Sequence, residues 1–239
     1  IDTASTLAEI EDIYRPYRPK RRTRATIAKE KGLEPLADAI FAQAVGMDAP
    51  ETLAQTYIDT EKGVQTVDDA LAGASDILAE RISDDAQVRG SLRVLMEKRA
   101  NATSKALKDE DSVYRMYYDF SQPTSRLQSH QILALNRGER EGYLKVSIQM
   151  DKAEAVQCLR RAVVKPGTPA MAFLGGVCAD CYDRLLAPSM ERDLRNSLTD
   201  MAAERAIHNF ALNLRPLLMQ PPVKGHVTMG LDPGYAHGC

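Results

Sequence analysis

The segment from residue 14 to residue 32 constrains the fold most, because it combines two prolines with a dense run of positive charge. It holds eight of the 31 Lys and Arg residues and one acid, Glu30, whereas the rest of the chain carries 23 basic and 32 acidic side chains. Pro16 and Pro19 disfavour the αR conformation at the residues before them. They therefore predict an extended start to the segment, with helix only after Thr23, a good N-cap residue.

Two interpretations of this positive charge stay open at the level of sequence. A cation that neutralises a phosphate releases counterions, which gives salt-dependent affinity for nucleic acid with little sequence preference. Guanidinium groups bind carboxylates equally well, so the same side chains can instead hold neighbouring acidic helices together. The candidate nucleic-acid-binding residues are Arg15, Arg18, Lys20, Arg21, Arg22 and Arg24.

Helical periodicity dominates the rest of the chain and predicts a mainly α, bundle-like array of helices. The clearest amphipathic pattern covers residues 67–82, and residues 111–120 are predicted to form a further helix. The alternation of apolar and polar side chains over residues 143–150 predicts one short, half-buried strand or hairpin. Residues 227–234 are predicted to form a buried strand that leads into a tight turn.

Composition and cysteine usage exclude several classes of protein. No apolar run approaches 18 residues and no signal peptide is recognisable, so we expect a cytoplasmic protein without a membrane partner. Cys178 and Cys181 form a lone C-x-x-C without a second ligand pair or a βαβ context, which favours ordinary helical cysteines over a zinc or redox site. No metal or other cofactor is predicted. Because the chain opens at Ile1, we expect a piece of a larger protein.

Two stretches carry a resemblance to a known family. The run YRPYRPKRRTRATIAKEKGLEPLADAI, residues 14–40, resembles the signature of the bacterial Tex family of transcription accessory proteins. The run SRLQSHQILALNRGE, residues 125–139, also resembles the Tex pattern. We interpret His130 as a capping or surface residue, because it has no visible nucleophile or carboxylate partner. The side chains that can line one surface with it are Arg126, Arg137 and Arg140.

The resemblance implies three regions and a function. Residues 1–106 would be the remainder of an N-terminal helical module, 107–225 a central helical region and 226–239 the truncated start of a YqgF, or RNase H-like, domain. Asp232 resembles the first-strand Asp of that domain, which in active relatives binds a divalent metal together with other carboxylates. One carboxylate cannot build such a site, so we expect no enzymatic activity.

The primary functional hypothesis is therefore a non-enzymatic, nucleic-acid-binding scaffold of a transcription accessory protein. The resemblance implies RNA or DNA as a partner, bound with low sequence specificity, and RNA polymerase or other transcription proteins as further partners. An alternative is a protein-interaction scaffold whose basic segment is paired internally, with nucleic-acid binding in C-terminal domains outside this chain. A weaker third hypothesis is a nuclease fragment.

Overall fold

The computed structural model describes residues 6–19, 21–108, 110–221, 224–232, 234 and 236, and in them the chain is mainly α-helical, as predicted. A small antiparallel sheet is inserted between the sixth and eighth helices. A π-helical turn, Tyr182–Leu186, joins the last two helices. The elements are α1 Leu7–Tyr14, α2 Arg24–Glu30, α3 Glu34–Ala42, α4 Pro50–Gln55, α5 Val67–Asp84, α6 Ala86–Arg99, β1 Asn101–Ala106, β2 Asp119–Pro123, α7 Ser129–Arg140, β3 Leu144–Gln149, α8 Lys152–Val163, α9 Met171–Cys181 and α10 Ala187–Leu218.

Side-chain caps fix where the helices of the first half begin. Thr66 accepts a hydrogen bond from the backbone N–H of Asp69, whose carboxylate accepts in return from the Thr66 N–H, so α5 starts with a capping box. The Asp85 carboxylate accepts from two backbone N–H groups at the start of α6. These bonds satisfy donors that a helix N-terminus otherwise leaves unpaired.

Helix α5 lies at the centre of the main apolar core and confirms the predicted amphipathic pattern. Its side chains Ala74, Ile77 and Leu78 are buried, and the helix packs against α2, α3, α4 and α9. At Gly73, an added Cβ would lie 2.3 Å from Cδ1 of Leu33. The absence of a side chain at Gly73 therefore sets how closely the N-terminal helices approach α5.

The sheet confirms the strand predicted over residues 143–150 and contradicts the helix predicted over residues 111–120. Strand β3 lies within the predicted range 143–150, and its alternate side chains are buried. Strand β1 pairs with β3 on one side and with β2 on the other, so the order is β2-β1-β3. The helix predicted over residues 111–120 is wrong: the segment forms a 3-10 turn, Arg115–Tyr117, and then enters β2. Hydrogen bonding to β1 overrides the local helical spacing there.

The prediction that the basic segment begins in an extended conformation is also wrong. Helix α1 runs to Tyr14, and a 3-10 turn, Arg15–Tyr17, continues it with Pro16 near its first position. Proline is tolerated there because its missing N–H would have no helical partner anyway, and Arg15 keeps αR dihedrals. Arg18, which precedes Pro19, adopts the extended conformation.

The predicted C-terminal strand is not formed in residues 227–232, which have no regular secondary structure and are exposed. A strand needs hydrogen bonds to a neighbouring strand, and the described strands pair only among themselves.

The distal half of α10 is exposed as well, with Ile207 69% and Phe210 65% accessible. No helix in the described ranges combines the length and apolar character needed to cross a membrane. The three-region division stays a prediction.

Candidate nucleic-acid interface

Helix α2 forms the second half of the basic segment and packs against the core through small residues. The Thr23 side chain accepts a hydrogen bond from the Thr26 N–H and so fixes the first turn of this helix. Ala25 and Ala28 are buried, and α2 packs along α5. Because these two alanines face the core, Arg24 projects to the exposed side of the same helix.

Two of the six candidate residues are engaged within the protein. Arg15 lies with Nε 3.5 Å from Oδ1 of Asp84, at the end of α5, and is half-buried. Burial and the nearby Arg89 guanidinium lower the pKa of Arg15 below its ordinary value. Arg22 donates to Glu30 over 2.7 Å in an exposed ion pair. For these two residues, the interpretation of internal pairing fits the geometry.

Three other candidates face solvent. Arg18, Arg21 and Arg24 are exposed, and none forms an ion pair with any residue in the described ranges. Lys20 lies outside the described residues. An unpaired, solvated guanidinium retains all its donors for an external anion. The structure therefore divides the segment into an inward part and an outward part, and we call Arg18, Arg21 and Arg24 the outward arginines.

A cleft of about 550 Å³ lies beside the segment and has walls of both signs. Arg15 and Arg18 line it together with three acids, Glu11, Glu80 and Asp84. Carboxylates repel phosphates, so the cleft itself does not suit a nucleic-acid backbone.

Next to Arg15 lies a buried ionic cluster that the sequence did not reveal. Arg89 of α6 is fully buried and donates to Asp12 of α1, to Asp193 of α10 and to the Ser189 hydroxyl. Arg93 also donates to Asp12. These partners are 77 to 104 positions from Arg89, so no local pattern could have predicted the cluster. It ties the helix that leads into the basic segment to the long C-terminal helix.

The second family-like stretch, residues 125–139, forms nearly all of α7 and part of the turn that precedes it. Arg126, His130, Arg137 and Arg140 are all exposed, which agrees with the surface role predicted for His130. The helix is anchored elsewhere: Glu139 accepts from Arg195 of α10 and from the Val146 N–H of β3.

The cysteines and Asp232 show no chemically activated arrangement within the described residues. Cys178 and Cys181 lie in helix α9, as predicted. Both are fully buried, and burial raises their pKa values to about 11 and about 12. The Cys181 thiol donates to the Ala79 carbonyl. Asp232 is exposed. No group of three His, Cys, Asp or Glu residues in the described part of the chain is placed to hold a metal ion.

Comparison with known proteins decides the family. Residues 47–210, more than half of the chain, match the family model described as Tex central region-like. The chain belongs to the Tex family. It is 42% identical to the protein YdcI of Bacillus subtilis and 32% identical to the transcriptional accessory protein Tex of Neisseria gonorrhoeae, each over 100% of this chain. It is also 32% identical, over 98% of its length, to the human S1 RNA-binding domain-containing protein 1.

The chain spans only part of these relatives. It covers 34% of the Bacillus protein, 32% of the Neisseria protein and 25% of the human protein. The match includes the basic segment and the α7 stretch, so both signatures that suggested Tex lie inside the aligned region.

Proposed function

We propose that this part of a Tex-family protein is a non-enzymatic scaffold that binds the phosphate backbone of nucleic acid through its outward arginines. The observation that carries the proposal is the exposure of Arg18, Arg21 and Arg24 without ion pairs to described residues, on an otherwise acidic chain. Backbone contacts of this kind give affinity for RNA or DNA with little sequence preference. The names of the Neisseria and human relatives, which refer to transcription and to RNA binding, support this direction.

The proposal extends to the cellular setting. A cytoplasmic transcription accessory role, with RNA polymerase or other transcription proteins as partners, fits the family. Absence of enzymatic activity is part of the proposal and is supported by the exposure of Asp232, which belongs to no metal-binding group of His, Cys, Asp or Glu within the described ranges. Metal-assisted hydrolysis of nucleic acid needs several converging ligands. Cleavage of labelled RNA by this chain with Mg²⁺ or Mn²⁺, lost in Asp232→Asn, would contradict this part.

Binding can be tested by fluorescence anisotropy with labelled poly(U) RNA and a duplex DNA, measured at low salt. We expect the triple variant R18A/R21A/R24A to bind at least about tenfold more weakly than the wild type, since each lost phosphate contact removes counterion release. The matched control is R126A/R137A/R140A, which removes three exposed guanidinium groups from another surface. Circular dichroism checks that both variants are folded. Equal losses in the two variants, or no binding by the wild type, would contradict the proposal.

A second candidate function is a protein-interaction scaffold, which the ion pairs of Arg15 and Arg22 favour. In that case the basic segment contributes only to the stability of the fold. The variant R15A/R22A would then lower the free energy of unfolding, while changes to the outward arginines would alter neither stability nor nucleic-acid affinity.

A further inference from the structure

A groove lies between α6 and α8, and its lining residues come from these two helices. Its volume is about 710 Å³. The core-facing sides of the two helices carry Leu92, Met96, Ala155 and Leu159, all buried, so the groove lies on their outer side. It is separate from the basic segment, none of whose residues line it.

The sheet fixes the relative direction of the two helices. Strand β1 follows α6 directly, β3 precedes α8, and Asn101 of β1 lies opposite Gln149 of β3 in an antiparallel pair. The end of α6 is therefore next to the start of α8, and the helices run antiparallel along the groove. Two antiparallel helices in contact leave a shallow trough between them in which a third helix can lie.

The floor of the trough is apolar. Val94 is 50% exposed although it is a large aliphatic side chain in the middle of α6. Leu95, Ala162 and the partly exposed Cys158 line the same surface. An aliphatic floor of this kind favours an apolar side chain of a ligand.

The rim is positive at both ends. Lys98 and Arg99 lie in the last turn of α6, and Arg161 lies in the last turn of α8. All three are exposed and form no ion pair with a described residue. One acid, Glu154 in the first turn of α8, lines the groove near the C-terminal end of α6. Because Arg161 is seven residues from Glu154, the two positive ends are about 10 Å apart along the helix axis.

We infer that this groove binds an acidic amphipathic helix of a partner protein. Two carboxylates spaced two helical turns apart, at i and i+7, would reach the cations at the two ends, while apolar residues between them cover Val94 and Leu95. Nucleic acid is a poorer match, because the lining contains no aromatic side chain on which a base can stack. This inference is independent of the outward arginines and adds a protein partner to the proposed nucleic-acid partner.

The test uses two designed, fluorescein-labelled helical peptides with the same leucine stripe. One carries Glu at i and i+7, and the other carries Lys at the same positions. We expect the wild-type chain to bind the Glu peptide at least about tenfold more tightly than the Lys peptide. The charge-reversed variant K98E/R99E/R161E should invert that preference, and R18A/R21A/R24A should keep the wild-type preference. Circular dichroism confirms folding of each variant.

A second variant separates docking in the groove from general attraction of charge. Val94→Arg adds a cation but blocks the apolar floor, so docking in the groove predicts at least about fivefold weaker binding of the Glu peptide, whereas attraction alone predicts tighter binding. The inference is overturned if the wild type does not discriminate between the peptides, or if Val94→Arg strengthens binding. It is also overturned if poly(U) RNA displaces the Glu peptide from R18A/R21A/R24A, because the groove would then bind nucleic acid in the absence of the outward arginines.

Discussion

Arg89 and Asp12 form a buried ion pair in which Nε of the guanidinium lies 2.5 Å from Oδ1 of the carboxylate. The two side chains are 1% and 6% exposed. Nη2 of Arg89 donates to Asp193 and to the Ser189 hydroxyl, and Nη1 donates to the Ser83 carbonyl. The pair joins α1 to α6, and through α1 it fixes the point from which the basic segment leaves the core.

Removing one partner of this pair should be costly. Asp12→Ala leaves the Arg89 charge buried without its main partner, so we expect the free energy of unfolding to fall by about 3–5 kcal/mol. Urea denaturation measures the change. The control is Asp111→Ala, which breaks an exposed ion pair with Arg115 and should leave stability unchanged. A small loss for Asp12→Ala would contradict the buried cluster.

Replacement of two helical glycines by alanine should change the free energy of unfolding in opposite directions. Gly73→Ala places a Cβ 2.3 Å from Cδ1 of the buried Leu33, so we expect a loss of about 1–2 kcal/mol despite the better helix propensity. At the exposed Gly176 of α9, nothing lies within 4 Å of the added Cβ. Gly176→Ala should therefore stabilise the protein by up to about 1 kcal/mol. Thermal unfolding compares the two, and equal effects would refute the close approach of α5 to Leu33.

The two halves of α10 should differ in their contribution to stability. Leu194 is buried in the main core, and Leu194→Ala should cost about 2–4 kcal/mol. Phe210 is 65% exposed, and Phe210→Ala should change the free energy of unfolding by less than about 0.5 kcal/mol. The same urea titration measures both variants. A large loss for Phe210→Ala would show that the distal half of the helix packs against the rest of this chain.

Stability should fall at alkaline pH because of the buried thiols. The pKa values of Cys178 and Cys181 rise from 9.0 to about 11 and about 12 in the folded protein, so above pH 9 the unfolded state has released protons that the folded state still holds. Stability is then lost as pH rises from about 9 to about 11 for Cys178 and to about 12 for Cys181, by at most about 1.4 kcal/mol per pH unit for each thiol. Urea unfolding in reductant between about pH 8 and pH 10.5 should show a shallower decline for C178A/C181A than for the wild type. Identical slopes would contradict this.

Local patterns predicted much of the fold. The capped, amphipathic α5 and the alternating strand β3 were recognisable because their own side chains encode burial at the correct spacing. Strand β1 was not, since the sequence NATSKA has no apolar alternation and forms a strand by pairing on both sides. The helix prediction over residues 111–120 failed for the same reason, because pairing with β1 determines the structure of β2.

The candidate site was predictable in composition but not in geometry. The density of arginines in the basic segment identified it, yet only the fold shows that Arg15 points to Asp84 while Arg21 and Arg24 remain exposed. Ion pairs between residues far apart in sequence decide that division, as they decide the partners of Arg89. Such pairs leave no periodic signal in a single sequence.

The salt dependence of nucleic-acid affinity tests the central claim most directly. The equilibrium constant for single-stranded poly(U) should be measured for the wild type and for R18A/R21A/R24A between about 50 and 200 mM salt. If the three outward arginines each neutralise a phosphate, the slope of log K against log salt should be shallower by about 2 in the variant, since each contact contributes about 0.7. A slope that is the same in both proteins would show that these arginines do not contact the nucleic-acid backbone.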